Sequence, residues 1–439
     1  MNRPPQTLTM PADPESVFTY GAPGLKFGVG ARHELAYDLA QLGARRVLVV
    51  TDPGVAATGR PAELVELLAA GGVEAVLFDR ARVEPTDASL QEAIDFGRAA
   101  GHLDAVVAIG GGSAIDTAKA VNLLVTNDGE LMDYVNAPVG QGRAPEKPLL
   151  PLVALPTTTG TGSESTTICV LDVVSQHVKT GISHPRLRPT LAVVDPELTL
   201  TQPSQVTAAS GLDILCHALE SYTARPYVSY EHKSAEQRVP YCGSNPIADL
   251  WSEKALSLMA GAFRTVVRQG DDLEARTQVA LAATFAGLGF GNAGVHIPHA
   301  NAYPVAGQVR EFRPEGYGPD GGPADHAMVP HGMAVSLTAP EAFRFTFPAD
   351  PDRHVRAAQL LDPTAEMTDD PADLLPQVLA SVMRDVGIPS GLAAVGFTSS
   401  DVDSLVEGAV KQQRLLATAP LDVRDEDLAA ILDASLELW

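Results

Sequence analysis

Asp213 and His217 stand four residues apart in the run Gly211-Leu-Asp-Ile-Leu-Cys-His-Ala-Leu-Glu220, and His299 and His331 follow downstream. On a helix, positions i and i+4 share a face, so this carboxylate and imidazole can grip one ion. One carboxylate with three imidazoles suits a divalent transition metal such as Fe²⁺ or Zn²⁺. His296, three residues before His299, competes for its role. Taken singly, each side chain has an ordinary explanation as a surface acid or a hydrogen-bonded core histidine. The combination points to a metal.

A second constellation lies upstream. The apolar run 104–109 ends in Gly110-Gly111-Gly112-Ser113 and opens into a helical pattern to Leu124. Glycines at a strand end let the backbone approach a phosphate. The helix start then offers unpaired N–H groups and a positive dipole end. The G-x-G-x-x-G fingerprint is absent. Leu155-Pro-Thr157-Thr158-Thr-Gly-Thr-Gly-Ser-Glu164 adds more hydroxyls and glycines after another strand. Asp52 closes the strand 46–50, where a carboxylate can bond a ribose hydroxyl and repel a 2′-phosphate, so NAD is expected over NADP. A metal and a dinucleotide on one chain imply metal-assisted hydride transfer.

These residues need a scaffold. Strand patterns at 46–50, 75–78, 104–109, 149–154 and 191–194 alternate with helical patterns at 61–70, 89–100 and 113–124. Such alternation implies a parallel sheet. From about residue 204 helical patterns dominate. The expectation is an α/β dinucleotide-binding domain, 1–203, followed by an all-helical metal-binding domain, 204–439. Polar, turn-rich stretches at 227–245 and 309–329 interrupt the helical half and read as functional loops.

The bulk properties bound the rest. A chain of 439 residues exceeds one ordinary core. A net charge of −23 without a basic patch argues against a nucleic-acid partner. No apolar run is long enough to span a bilayer, so no membrane partner is expected. The first twenty residues match neither a signal nor a transit peptide, and Cys169, Cys216 and Cys242 read as reduced thiols, so a cytoplasmic protein is expected. An N-terminal edge strand would allow a homodimer.

Gly110-Gly-Gly-Ser-Ala-Ile-Asp116-Thr-Ala-Lys119, Pro156 to Glu164, Asp213-x-x-x-His217 and Pro330-His-Gly332 together, in this order, resemble the iron-containing alcohol dehydrogenase family. The resemblance implies a Rossmann-like N-terminal half and a helical C-terminal half, the architecture shared with dehydroquinate synthase. It implies that Asp213, His217, His299 and His331 hold the metal. His299 is preferred over His296 by its distance from Gly289-Phe-Gly-Asn-Ala-Gly294. Gly111, Gly112, Ser113, Thr157 and Thr158 would touch the cofactor, with Gly110 and Asp116 of the same motif counted among them.

Two departures from the family pattern matter. Many members carry a histidine four residues after the third ligand; here it is Tyr303, which either takes over a proton relay or shapes the pocket. His299 and His331 are also 32 residues apart, wider than in many relatives. The loop 309–329, the segment 227–245 and Tyr303 resemble the hydroxyacid-oxoacid transhydrogenase branch. That branch oxidises 4-hydroxybutyrate to succinate semialdehyde while reducing 2-oxoglutarate to 2-hydroxyglutarate through bound NAD. Substrate carboxylates call for cations, and Arg225, Lys233, Arg238, Arg310 and Arg313 are the candidates. The alternatives are an NAD-dependent alcohol dehydrogenase acting on a small alcohol or aldehyde with exchangeable cofactor, and a cyclase or lyase of the dehydroquinate synthase type.

Overall fold

Short runs rich in Val, Ile, Leu and Ala build a six-stranded parallel sheet. Its strands are β1 (Gly24–Phe27), β2 (Arg46–Val50), β3 (Glu74–Phe78), β4 (Ala105–Gly110), β5 (Leu152–Pro156) and β8 (Leu191–Val194), in the order β1-β8-β5-β4-β2-β3. A computed structural model of the chain describes residues 10–176, 178–318 and 322–439. Side chains alternate across a strand. Leu48, Val106 and Ala154 therefore feed one core, while Val47, Val107 and Val153 feed another on the opposite face. A sheet buried on both faces explains why its central strands are continuously apolar.

An antiparallel hairpin of β6 (Ile168–Val173) and β7 (Val178–Ser183) was not among the expected elements. Its signal is a plain period of two: Cys169, Leu171 and Val173 are buried in the first of those cores. The expected strand at 149–154 is displaced to Leu152–Pro156.

The chain forms two compact units. One is Ala22–Gln202; the other runs from Pro203 and includes residues 10–21. The described N-terminal arm therefore departs from the expected grouping with the α/β domain. Asn292 explains this, exchanging hydrogen bonds with both backbone groups of Gly21 at 2.8 and 3.0 Å. Glu15 adds an ion pair with Arg238 at 3.1 Å.

The helical unit is built on α3 (Ser204–Thr223), α4 (Pro246–Arg268), α5 (Leu273–Ala293), α6 (Ile297–Gln308), α7 (His331–Ser336) and α8 (Gln413–Leu416). The α/β unit contributes α1 (Pro53–Ala57) and α2 (Gly112–Thr126), which begin just beyond β2 and β4. From Gly211 to Thr223 every residue of α3 is buried. A helix enclosed all round is a core helix, so any polar side chain on it must find a partner inside. Gly332 lets α7 approach α3, since a Cβ there would run into the Ala209 carbonyl and sit 2.8 Å from the Asp213 Cβ. No single helix among the described residues is long and apolar enough to cross a membrane. Residues 319–321 of the loop 309–329 lie outside the described residues.

Candidate active site

Helical spacing puts Asp213, His217 and Glu220 on one buried stripe of α3, at i, i+4 and i+7. Two other segments bring imidazoles to it. His299 comes from the first turn of α6 and His331 is the first residue of α7. The helix begins at His331 itself. Three Nε2 atoms converge on Asp213 Oδ1: His299 at 3.5 Å, His217 at 3.7 Å and His331 at 3.8 Å. The ligand atoms of Asp213, His299 and His331 all lie within 4.8 Å of one another; His217 falls outside that group and joins the cluster through its approach to Asp213.

These separations are long for hydrogen bonds and fit donors that share one cation at roughly 2.0–2.2 Å from each. Asp213 Oδ1 and His299 Nε2 are buried without a hydrogen-bond partner, an orphaned pair that a bound ion would satisfy. The donor set of one carboxylate oxygen and three imidazole nitrogens therefore fits a divalent transition metal.

Charge reinforces the geometry. Burial would raise the Asp213 carboxyl, but the imidazoles of His217, His331 and His299 hold it well below the ordinary carboxylate range. Burial drives His217 down to about 3. Burial also works against a charged His299, yet Glu220 and then Asp213 outweigh it and lift His299 to about 9. A metal would take the place of that proton.

Glu220 went unassigned in the sequence. It is fully buried and accepts from His299 Nδ1 at 2.5 Å. Its other oxygen accepts the backbone N–H groups of His296 and His299 at 2.8 and 3.2 Å. A carboxylate on Nδ1 fixes the tautomer and leaves the Nε2 lone pair facing the ion. The available signal was the i+7 spacing after Asp213. His296 is excluded from the cluster, because its Nε2 meets Thr223 Oγ1 at 3.1 Å and its ring packs edge-on against Phe343. Tyr303 lies one turn beyond His299 on α6, half-buried.

In the α/β unit, the expected cofactor residues follow three neighbouring strands, β2, β4 and β5. Asp52 caps α1, its Oδ1 accepting from Val55 N at 3.0 Å. Its Oδ2 lies beside Gly110, 3.4 Å from where a Cβ would stand. Burial pushes its carboxyl upward. A Cβ on Gly110 would also come within 2.5 Å of the Ala114 Cβ, one on Gly111 within 3.1 Å of Thr158 Oγ1, and one on Gly112 within 2.8 Å of Thr161. The start of α2 has no side-chain cap. Ser113 Oγ accepts from Glu84 N at 3.1 Å. Thr157 N bonds the Gly110 carbonyl at 3.0 Å, while Thr157 Oγ1 is buried without a hydrogen-bond partner. Bare N–H groups, close-packed glycines and an orphaned hydroxyl fit a bound pyrophosphate.

Asp116 corrects its expected role. A full turn inside α2, it is beyond the first-turn N–H groups. Its Oδ2 instead accepts from Val170 N on β6 at 3.0 Å, and its Oδ1 lies 3.5 Å from the buried Lys119 ammonium. The five candidate substrate cations are likewise engaged. Arg225 pairs with Asp422 at 2.6 Å, Arg238 with Glu15, and Arg310 with Asp401 at 2.5 Å. Arg313 bonds the Ala324 carbonyl, and the Lys233 ammonium sits 5.0 Å over the Tyr230 ring.

Residues 23–196 match the family model of iron-containing alcohol dehydrogenase, and residues 207–310 and 325–436 match that of its C-terminal region. A hydroxyacid-oxoacid transhydrogenase, mitochondrial, of Bos taurus is 42% identical over 420 residues, covering 94% of this chain and 89% of the relative. The chain belongs to the iron-containing alcohol dehydrogenase family. It is accordingly an oxidoreductase of small molecules. A crystal structure of 1,3-propanediol oxidoreductase superposes with a TM-score of 0.82 at 28% identity, covering 95% of this chain and all of that one. A sulfoacetaldehyde reductase from Bifidobacterium kashiwanohense in complex with NAD+ gives 0.77 at 25% identity, covering 95% and 98%. The gap between the two C-terminal matches, 311–324, falls within the loop 309–329, which stands apart from the family pattern.

Proposed function

We propose that this enzyme transfers a hydride from a hydroxy acid to an oxo acid through NAD that stays bound between the two half-reactions. The substrates are 4-hydroxybutyrate and 2-oxoglutarate; the products are succinate semialdehyde and 2-hydroxyglutarate. The observation that carries the reading is the convergence of three imidazoles on an orphaned Asp213 oxygen, in a chain 42% identical to a relative bearing that activity in its name. Asp213, His217, His299 and His331 would hold a divalent ion, Fe²⁺ in keeping with the family's name, with Zn²⁺ accepting the same donors. When bound, that ion supplies Lewis acidity toward an alcohol or carbonyl oxygen, and the nicotinamide supplies the hydride carrier.

The chain's own residues bind, orient and move protons. Glu220 keeps a proton on His299 Nδ1, so His299 presents a lone pair and not a second donor. Burial of α3 excludes water from the carboxylate. Tyr303, one turn from His299, is the hydroxyl available to relay the alcohol proton. The backbone of Gly110, Gly111 and Gly112, with Ser113, Thr157 and Thr158, would hold the pyrophosphate, and Asp52 would accept from the ribose hydroxyls.

The test is turnover of 4-hydroxybutyrate with 2-oxoglutarate by protein freed of exogenous nucleotide. Formation of 2-hydroxyglutarate without added NAD is the expected result. A strict need for added NAD, with NADH released, would replace this reading by an ordinary dehydrogenase. A cytoplasmic location and a homodimer paired through the edge strand β1 belong to the same proposal. Fractionation and light scattering test them.

A further inference from the structure

Both substrates of the proposed reaction carry a carboxylate the same number of bonds from the reacting carbon. C1 stands to C4 of 4-hydroxybutyrate as C5 stands to C2 of 2-oxoglutarate. One fixed cation could therefore serve both half-reactions. Of the five cations expected in that role, Arg225, Arg238 and Arg310 are paired with carboxylates and Arg313 with a carbonyl, while Lys233, over the Tyr230 ring, is tied through its backbone N–H to Glu15 of the N-terminal arm and not to the segment that delivers His299.

A sixth cation is placed differently. The Arg414 guanidinium, on α8, lies 4.9 Å over the Tyr241 ring. Among the described residues it has no carboxylate partner, and it is exposed. Stacking on the ring, with a hydrogen bond to the Tyr241 phenol, holds the guanidinium in place and leaves its remaining N–H donors open to a carboxylate. Tyr241, by contrast, is buried.

Three segments are stitched together around this pair. Cys242 N and Gly243 N bond the carbonyls of Asn292 and Ala293 at 2.9 and 3.0 Å, which ties Tyr241 to the end of α5. Thr418, four residues after Arg414, bonds the Val295 carbonyl through its hydroxyl. Gly294 lies between them, a Cβ there meeting both Tyr241 and Thr418 at 3.1 Å. The chain then runs directly into His296 and the ligand His299. Burial raises the Tyr241 phenol to about 12 while Arg414 pulls it down, and the charges of Tyr303 and Glu220 also reach it. Arg414 is thus anchored to the segment that delivers His299 and Tyr303.

Building on the proposed transhydrogenation, we propose that Arg414, held over Tyr241, receives the distal carboxylate of both the hydroxy acid and the oxo acid.

The experiment compares wild type, R414A and R414K on 4-hydroxybutyrate, 2-oxoglutarate and the neutral 1-butanol, with succinate as a carboxylate-bearing inhibitor. In R414A, the ratio of kcat/KM for 4-hydroxybutyrate to that for 1-butanol should fall at least about tenfold, as expected for losing a charge-assisted contact. The KM for 2-oxoglutarate and the Ki for succinate should rise with it, and R414K should retain part of the discrimination. Melting temperature and metal content are measured alongside. If R414A is disturbed in either, the ratio in R414K decides. An unchanged ratio in an intact variant overturns this assignment alone. A wild type that does not turn over 4-hydroxybutyrate overturns the proposed function and this assignment together.

Discussion

The two candidate sites are made by opposite means. In the α/β unit, recognition rests on backbone: closely packed glycines, bare N–H groups and the ends of adjacent parallel strands. In the helical unit it rests on side chains, one carboxylate and three imidazoles drawn from three segments, buried except for the half-exposed His331. A backbone site tolerates changes of side chain and fails when atoms are added. A buried polar cluster fails when atoms are removed, because a surviving charge is left without its partner.

The largest effect should come from taking atoms out of the cluster. Asp213→Ala should abolish stoichiometric metal and lower turnover on the order of 10³-fold, since Lewis-acid stabilisation is worth several kcal/mol. Elemental analysis of the purified variant checks this. A full complement of metal in it would break the contrast. Next comes Glu220→Gln, which keeps an acceptor for the backbone N–H groups but presents an amide to His299 Nδ1. Metal affinity of the stripped protein, read by titration, should weaken about 10- to 100-fold.

Adding an atom to the other site is the converse. Gly110→Ala places a methyl 2.5 Å from the Ala114 Cβ, and neither can rotate away. Where the bound state bears it, an overpacking cost of roughly 1–3 kcal/mol predicts an NAD dissociation constant raised about 5- to 150-fold, with metal content unchanged. Calorimetric titration of NAD would separate the two sites, and loss of metal in this variant would contradict their independence.

The smallest effect concerns the arm that joins the helical unit. Burial acts to raise the Glu15 carboxyl, but bonds from Val17 N, Lys233 N and Arg238 hold it at about 2. A depressed folded value means the contribution is full above the unfolded carboxyl range, about 4.3. It fades as the pH falls from there through about 2. The melting temperature of wild type should therefore exceed that of Glu15→Gln at neutral pH, and the gap should close over this interval. A gap constant between pH 7 and pH 3 would show that the arm is held by other contacts.

Much of the molecule was legible because its signals are local. The apolar runs of β2 and β4, the glycines after β4 and the Asp213–His217 spacing each lie within a few residues. The hairpin of β6 and β7 carries an equally local signal, the alternation of Cys169, Leu171 and Val173 with less buried neighbours. Other features depend on what lies across the fold. Asp116 shares a motif with the glycine loop, yet β6 claims its carboxylate. Glu220 differs from any helical glutamate only because His299 arrives against it from 79 residues away. Arg225, Arg238 and Arg310 looked available because their partners are remote in sequence: Asp422 lies 197 residues from Arg225, Glu15 lies 223 residues from Arg238, and Asp401 lies 91 residues from Arg310.

Sequence alone determined which groups exist, how they repeat along a helix or strand, and hence the class of chemistry open to this chain. Tertiary structure decided which of those groups are dry, which already hold a partner, and which face one another unsatisfied. The physical reason is that a side chain's charge and affinity depend on its surroundings within a few ångströms, and those surroundings come mostly from distant parts of the chain.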